Sequence, residues 1–121
     1  MAYRLMVIPG DSDDLRALPE QMGAECEVQV IDDANSALWE VRSTPPDVIV
    51  ANVELPGMTG LDLAEILPNF GLSTRVVLWS REANPQAAQQ ATEFGVHRFI
   101  TAPSPDALRD TLQSELAEAH A

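Results

Sequence analysis

A chain of 121 residues with 45% apolar side chains is enough for one compact core that buries about two thirds of its unfolded surface, and it holds no run near the roughly 20 apolar residues of a membrane span and none suited to a signal sequence, so residues 1–121 read as a single cytoplasmic domain. Nineteen acidic against seven basic side chains, a formal charge of −12, repel nucleic-acid phosphates and anionic membranes and argue against direct binding to either. The lone Cys26 allows no internal disulfide, and beside it only His97 and His120 are present, which gives no zinc-ligand spacing.

In chain order, Leu5 to Ile8 is a short apolar run that predicts a first strand. Leu15, Leu18 and Met22 follow at helical spacing, with Pro19 inside the stretch, where a helix interior tolerates it poorly. Glu27 to Ile31 predicts a second strand, and Ala34, Ala37, Leu38 and Val41 a second helix. Asp47 to Asn52 is the most continuous strand signal, after which Leu63, Ile66 and Leu67 carry a third helix ending near Gly71. Arg75 to Trp79 is a fourth strand; Asn84-Pro85 opens a helix through Ala87, Ala91 and Phe94 that stops at Gly95. His97 to Thr101 is the fifth strand, and Ser104-Pro105-Asp106 supplies an N-cap, a first-turn proline and an early acid for a last helix with the stripe Leu108, Leu112, Leu116. Strand and helix alternate throughout, the pattern of a parallel sheet with helices on both faces. The Ala-rich acidic stretch Glu115 to Ala119 reads as a segment running on into a linker and an output domain. Trp39 and Trp79 are expected in core or edge packing, with a docking surface as the other reading.

Chemistry in such a sheet gathers beyond the carboxyl ends of the strands. There the third strand continues as Asn52-Val53-Glu54-Leu55-Pro56-Gly57-Met58-Thr59-Gly60, the fourth ends in Ser80, and the fifth reads Phe99-Ile100-Thr101-Ala102-Pro103. These marks, in this order, resemble the receiver domains of bacterial response regulators, whose third strand ends in an Asp followed by a Pro and a Gly-rich turn. The resemblance implies a flavodoxin-like, CheY-like three-layer α/β fold, doubly wound, with five strands in the order 2-1-3-4-5. It also implies a signalling domain rather than an enzyme.

In the family the strand-three Asp takes a phosphoryl group with help from Mg²⁺, an acidic pair after strand one and a Lys after strand five. At the matching positions this chain has Asn52, then Pro9 and Gly10, then Ala102. A neutral amide is a poor nucleophile, Pro9 and Gly10 bring no side-chain oxygen for Mg²⁺, and Ala102 brings no charge to balance a phosphate. A one-residue shift of the loop makes Asp11 one acid of the pair; otherwise Asp11, Asp13 and Asp14 are loop and helix-start acids. Glu54 is a further candidate for holding a cation, but no catalytic residue, no metal ligand set and no tight Mg²⁺ binding are expected. Ser80 and Phe99 keep the family's switch types and are expected to serve here as a local hydrogen-bonding residue and a packed ring. Arg81 either faces solvent or folds over the pocket to pair with Glu54 or Asp11.

The reading is therefore an atypical or pseudo-receiver of two-component, phosphorelay-type signalling that works by protein contact without phosphorylation. Its partners are expected to be signalling proteins and a C-terminal output domain, with a weak homodimer through the polar face of Gln86, Gln89, Gln90, Glu93, His97, Arg98 and Arg109. Two alternatives stand beside it: a small ligand in the emptied pocket, and residual phosphorylation on Asp11 or Glu54.

Overall fold

A computed structural model describes residues 3–23, 26–55, 57–67 and 74–119. Strand β1 (Tyr3–Ile8) leads into two short helices, α1 (Asp13–Arg16) and α2 (Leu18–Gln21), and then β2 (Cys26–Val30) and α3 (Ala34–Ser43). The chain continues through β3 (Val48–Asn52), α4 (Gly60–Ile66), β4 (Arg75–Ser80), α5 (Pro85–Glu93), β5 (Arg98–Thr101) and α6 (Pro105–Ala119). Every neighbouring pair in the sheet is parallel, in the order β2-β1-β3-β4-β5. The winding direction reverses between β1 and β3, so the loops after these two strands diverge and leave a crevice between them.

Alternation along the strands sorts the core into two layers. Met6, Ile8, Ile49, Ala51 and Leu78 meet Ala37, Val41, Leu63, Ala87 and Ala91 of α3, α4 and α5. Leu5, Val7, Val48, Val50, Val77 and Trp79 meet Leu15, Leu18, Leu108, Leu112 and Leu116 of α1, α2 and α6 on the other face. Strand β3 is buried along its whole length, which is why it reads as an unbroken apolar run. The N-cap expectations hold, since Asn84 Oδ1 accepts from Ala87 N at 3.1 Å and Ser104 Oγ from Ala107 N at 3.2 Å. Gly95, with φ +78°, follows the end of α5, whereas Gly71 lies outside the described residues.

Two expectations need correction. The single first helix is two, broken at Ala17, whose N–H donates to Asp13 O at 3.0 Å while its carbonyl accepts from Glu20 N at 3.1 Å. Pro19 then falls in the first turn of α2, where no N–H is required. The break leaves Leu15, Leu18 and Met22 buried as their spacing predicts. Trp79 is buried, but Trp39 is 69% exposed. The buried stripe of α3 is Ala34, Ala37 and Val41, and Trp39 lies about 200° round the helix from Ala37; the Arg42 guanidinium sits 5.6 Å from its ring centroid.

Glu115 to Ala119 form the last part of α6, in which Glu115 and Leu116 are buried and the following three residues are exposed. Glu115 is 2% exposed, accepts from Arg98 Nε at 2.6 Å and Arg75 Nη1 at 3.2 Å, and so ties α6 to the first residues of β4 and β5. Both arginines keep partial access to water, so the charges left by a neutral replacement remain partly solvated. Glu115→Gln is expected to cost about 1–2 kcal/mol, read as a lowered urea midpoint at unchanged slope. Cys26, on the edge strand β2, has its thiol pushed up by burial and, to a smaller extent, by the Asp47 carboxylate.

Candidate functional site

The crevice is built from the ends of β1, β3 and β4. After Ile8 the chain turns tightly: Ser12 N donates to Pro9 O at 2.9 Å, Gly10 adopts φ +57°, and Ser12 Oγ caps α1 by accepting from Leu15 N at 3.2 Å. Gly10 packs against the chain that leaves β3. A Cβ there would lie 3.0 Å from Glu54 O, 3.1 Å from Leu55 Cδ2 and 3.3 Å from Asn52 Nδ2. The start of α4 closes on the same strand end, Gly60 N donating to Val53 O at 3.1 Å, and a Cβ on Gly60 would lie 2.7 Å from Asn52 O.

Asn52 is the buried polar residue at the centre, 2% exposed. Its amide uses both of its functions: Nδ2 donates to Pro9 O at 3.0 Å and more weakly to Asp11 Oδ1 at 3.4 Å, and Oδ1 accepts from Glu54 N at 2.9 Å. Each such bond is worth about 1 kcal/mol net and more if its partner is left bare. Only a side chain with both a donor and an acceptor satisfies this arrangement.

Arg81 takes the folded-over position anticipated as one of two readings, and its partner is Asp11 rather than Glu54. Nη2 lies 3.0 Å from Asp11 Oδ1 and 3.3 Å from Asp11 O, and Cζ stands 5.9 Å from the Trp79 ring centroid. Because β3 lies between β1 and β4, this side chain spans the end of the strand that carries Asn52. Ser80 Oγ donates locally to Glu82 O, and Phe99 is a half-buried ring packed on the core, as their sequence readings anticipate. Ala102 has φ +34°, and its N–H donates to Ser80 O at 2.8 Å. Glu54 is exposed and, with Gly10, Asp11, Arg16 and Asp32, lines an open depression of about 430 Å³. Pro56 lies outside the described residues.

Arg16 was not anticipated from the sequence. It donates to Gly10 O at 2.9 Å and to Asp32 Oδ1 at 3.2 Å, fixing the turn after β1 to the loop after β2. No local motif marks it, since its partners stand 6 and 16 residues away.

The family model for the response regulator receiver domain matches residues 10–113. The chain belongs to the response regulator receiver family. Among curated relatives, the probable transcriptional regulatory protein NarL of Mycobacterium tuberculosis is 27% identical over 121 residues, covering 96% of this chain and 53% of the relative. The transcriptional regulatory protein DesR of Bacillus subtilis is 30% identical over 108 residues, covering 87% of this chain and 50% of the relative. The chain thus spans about half the length of these relatives. Among solved structures, a CheY-like receiver domain protein from Methanospirillum hungatei superposes with a TM-score of 0.88 at 18% identity, covering 99% of this chain and 98% of the other. The NarL receiver domain of M. tuberculosis gives 0.82 at 21% identity, covering 93% and 94%.

The oxygen donors nearest Asn52 are already engaged by the chain itself. Asn52 Oδ1 is engaged by Glu54 N, Asp11 is paired with a guanidinium, and Pro9 offers a carbonyl already shared by two donors. Magnesium favours octahedral oxygen coordination with one or two carboxylates, and among the described residues no group of three or more His, Cys, Asp or Glu side chains is placed to hold a metal. No helix among the described residues is long and apolar enough to cross a membrane.

Proposed function

We propose that this receiver domain is a pseudo-receiver, working in two-component signalling as a phosphorylation-independent, non-enzymatic protein-interaction domain held in one state. The observation that carries the reading is the bond from Asn52 Nδ2 to Pro9 O. It makes the residue at the expected acceptor position a donor to the backbone, where phosphotransfer needs an anionic nucleophile with free lone pairs. Gly10 and Ala102 support the same reading, the first with a Cβ position crowded by Glu54 O and Leu55 Cδ2 and the second with no charge for a phosphate. Tight Mg²⁺ binding is not part of this function. The domain acts in the cytoplasm on signalling proteins, with an output domain as one partner and a weak homodimer through the α5, β5 and α6 face as another contact; its charge of −12 keeps it off nucleic acid and membranes.

The alternatives have less support. A small-ligand pocket calls for Arg81 swung away from an open cavity, and Arg81 is instead paired with Asp11, one of the residues that line the depression. Residual phosphorylation of Asp11 or Glu54 calls for a carboxylate at the apex of β3, and both stand on loops, Asp11 committed to Arg81. Incubation with acetyl phosphate and Mg²⁺ is therefore expected to leave the intact mass unchanged, and beryllofluoride to leave the amide resonances of Ser80 and Phe99 in place. A mass gain of one phosphoryl group, or shifts centred on those two residues, would refute the proposal.

A further inference from the structure

Strand β2 is one edge of the sheet and, among the described residues, pairs with β1 alone. Its backbone groups alternate in direction. Ile31 N donates to Val7 O at 2.8 Å, and Val30 stands opposite Val7 in the parallel register. Glu27 and Gln29 therefore turn their backbone groups toward β1, while Val28 N–H and C=O, Val30 N–H and Cys26 C=O point away from the sheet. The side chains alternate too. Cys26 and Val28 pack toward the layer of α1, α2 and α6, with Val30 on the same face and 36% exposed. Glu27 and Gln29 share the other face with Arg4 and Met6, on the side of α3. An open edge of this kind is a template for another strand.

We propose that two copies of this receiver domain associate through β2, antiparallel about Val28, so that their sheets run on as one. The sequence Cys26-Glu27-Val28-Gln29-Val30 fits its own reverse. Val28 then lies opposite Val28 of the second copy, Cys26 opposite Val30 and Glu27 opposite Gln29. Outward-pointing backbone meets outward-pointing backbone, and each face meets its like. Gln29 Nε2 donates to Glu40 Oε2 at 3.3 Å and has a second N–H to offer the incoming Glu27 carboxylate. Arg4 Nε, 3.9 Å from Glu27 Oε2, supplies a counter-charge. Centred on Glu27 instead, the pairing would set like charges directly opposite; centred on Gln29, it would set Glu27 against Ile31 and leave Cys26 beyond the paired strand. The contact lies away from the crevice and leaves β5 at the two far edges. It does not depend on the phosphorylation-independent reading, and it is separate from the α5, β5 and α6 face.

Sedimentation equilibrium of the full chain at about 0.15 M salt reads the association. Gln29→Lys places a cation opposite Glu27 twice across the two-fold axis and is expected to tighten the dimer about fivefold, and Gln29→Glu to weaken it by about as much. Gln90→Lys makes the same charge change on α5 and is expected to leave the dimer within about twofold of the parent. The register is read with Val30→Cys. Residues 26 and 30 of one strand stand about 13 Å apart, too far for a disulfide, whereas opposed residues of a hydrogen-bonded pair stand about 5.5 Å apart. Diamide is therefore expected to give a covalent dimer in which the introduced thiol is joined to Cys26 of the second copy, and none when Cys26→Ser is added. A parent that is monomeric at about 1 mM, equal tightening by Gln29→Lys and Gln90→Lys, or a disulfide between the two introduced thiols overturns the proposal.

Discussion

Asn52→Asp is expected to destabilise the domain by about 2–4 kcal/mol at neutral pH and to remain unphosphorylated. The substitution is nearly isosteric, but it converts the donor that meets Pro9 O at 3.0 Å into an oxygen facing an oxygen. It also places a second carboxylate beside Asp11 Oδ1, now 3.4 Å from the amide nitrogen. Burial and the Asp11 charge both disfavour the ionised form, so the folded-state pKa of the new acid is raised. The sign follows. Below the unfolded value of about 3.9 the carboxyl is neutral in both states and its O–H can donate to Pro9 O, which keeps the loss small. As pH rises from there through the raised folded value, the unfolded chain releases its proton first and stability relative to the parent falls, levelling off above the folded value. Urea unfolding of parent and variant at about pH 4 and pH 7 measures it; an equal deficit at both values, or a variant as stable as the parent at neutral pH, is incompatible with the Pro9 contact. Acetyl phosphate with Mg²⁺ should leave the variant's mass unchanged, because no acid pair and no lysine accompany the restored carboxylate.

Most of the fold was legible because strand and helix alternate with distinct periods, and the buried length of β3 appears directly as the run Val48 to Asn52. Pro19 was legible as a problem but not as its solution. A broken helix and a kinked one have the same sequence, and the choice depends on Leu15, Leu18 and Met22 staying in contact with the α6 side of the sheet. Trp39 shows the opposite error. Its phase relative to Ala34, Ala37 and Val41 already places it on the outer face of α3, and the size of the ring outweighed the phase. Glu115 was hidden because an acid in an Ala-rich stretch reads as solvated, while its partners Arg75 and Arg98 lie 40 and 17 residues back.

At the site the residue types were legible and their directions were not. The sequence places an amide at position 52, but which of its atoms faces the β1 loop is set by the path of Pro9 and Gly10, 43 residues earlier. Arg81 offered two positions, and the decision belongs to Asp11 and the Trp79 ring. The site is therefore more than a set of missing groups. Asn52 and Arg81 both bond to the β1–α1 turn that Gly10 shapes, so these three residues form one interlocked arrangement beside the open depression.

That interlock predicts the second large effect, for Gly10→Asp, the change that would return an acid to the loop after β1. Gly10 has φ +57°, where an L-residue with a Cβ is strained by about 1–2 kcal/mol. Its Cβ would meet Glu54 O at 3.0 Å and Leu55 Cδ2 at 3.1 Å, so backbone has to yield, which adds about 1–3 kcal/mol. Gly57 separates the two contributions, since it has φ +78° and nothing within 4 Å of where its Cβ would stand. Gly57→Ala is therefore expected to show the conformational strain alone, about 1–2 kcal/mol, and Gly10→Ala the strain with the crowding. Gly10→Asp should cost at least as much as Gly10→Ala, because the new carboxylate arrives between the Glu54 carbonyl and Asp11. Thermal or urea unfolding of the three variants decides the matter: Gly10→Ala no worse than Gly57→Ala would mean that the loop has room for an acid after all. If the crowding is measured, the receiver cannot take an acid at this position without first moving the chain between Asn52 and Leu55.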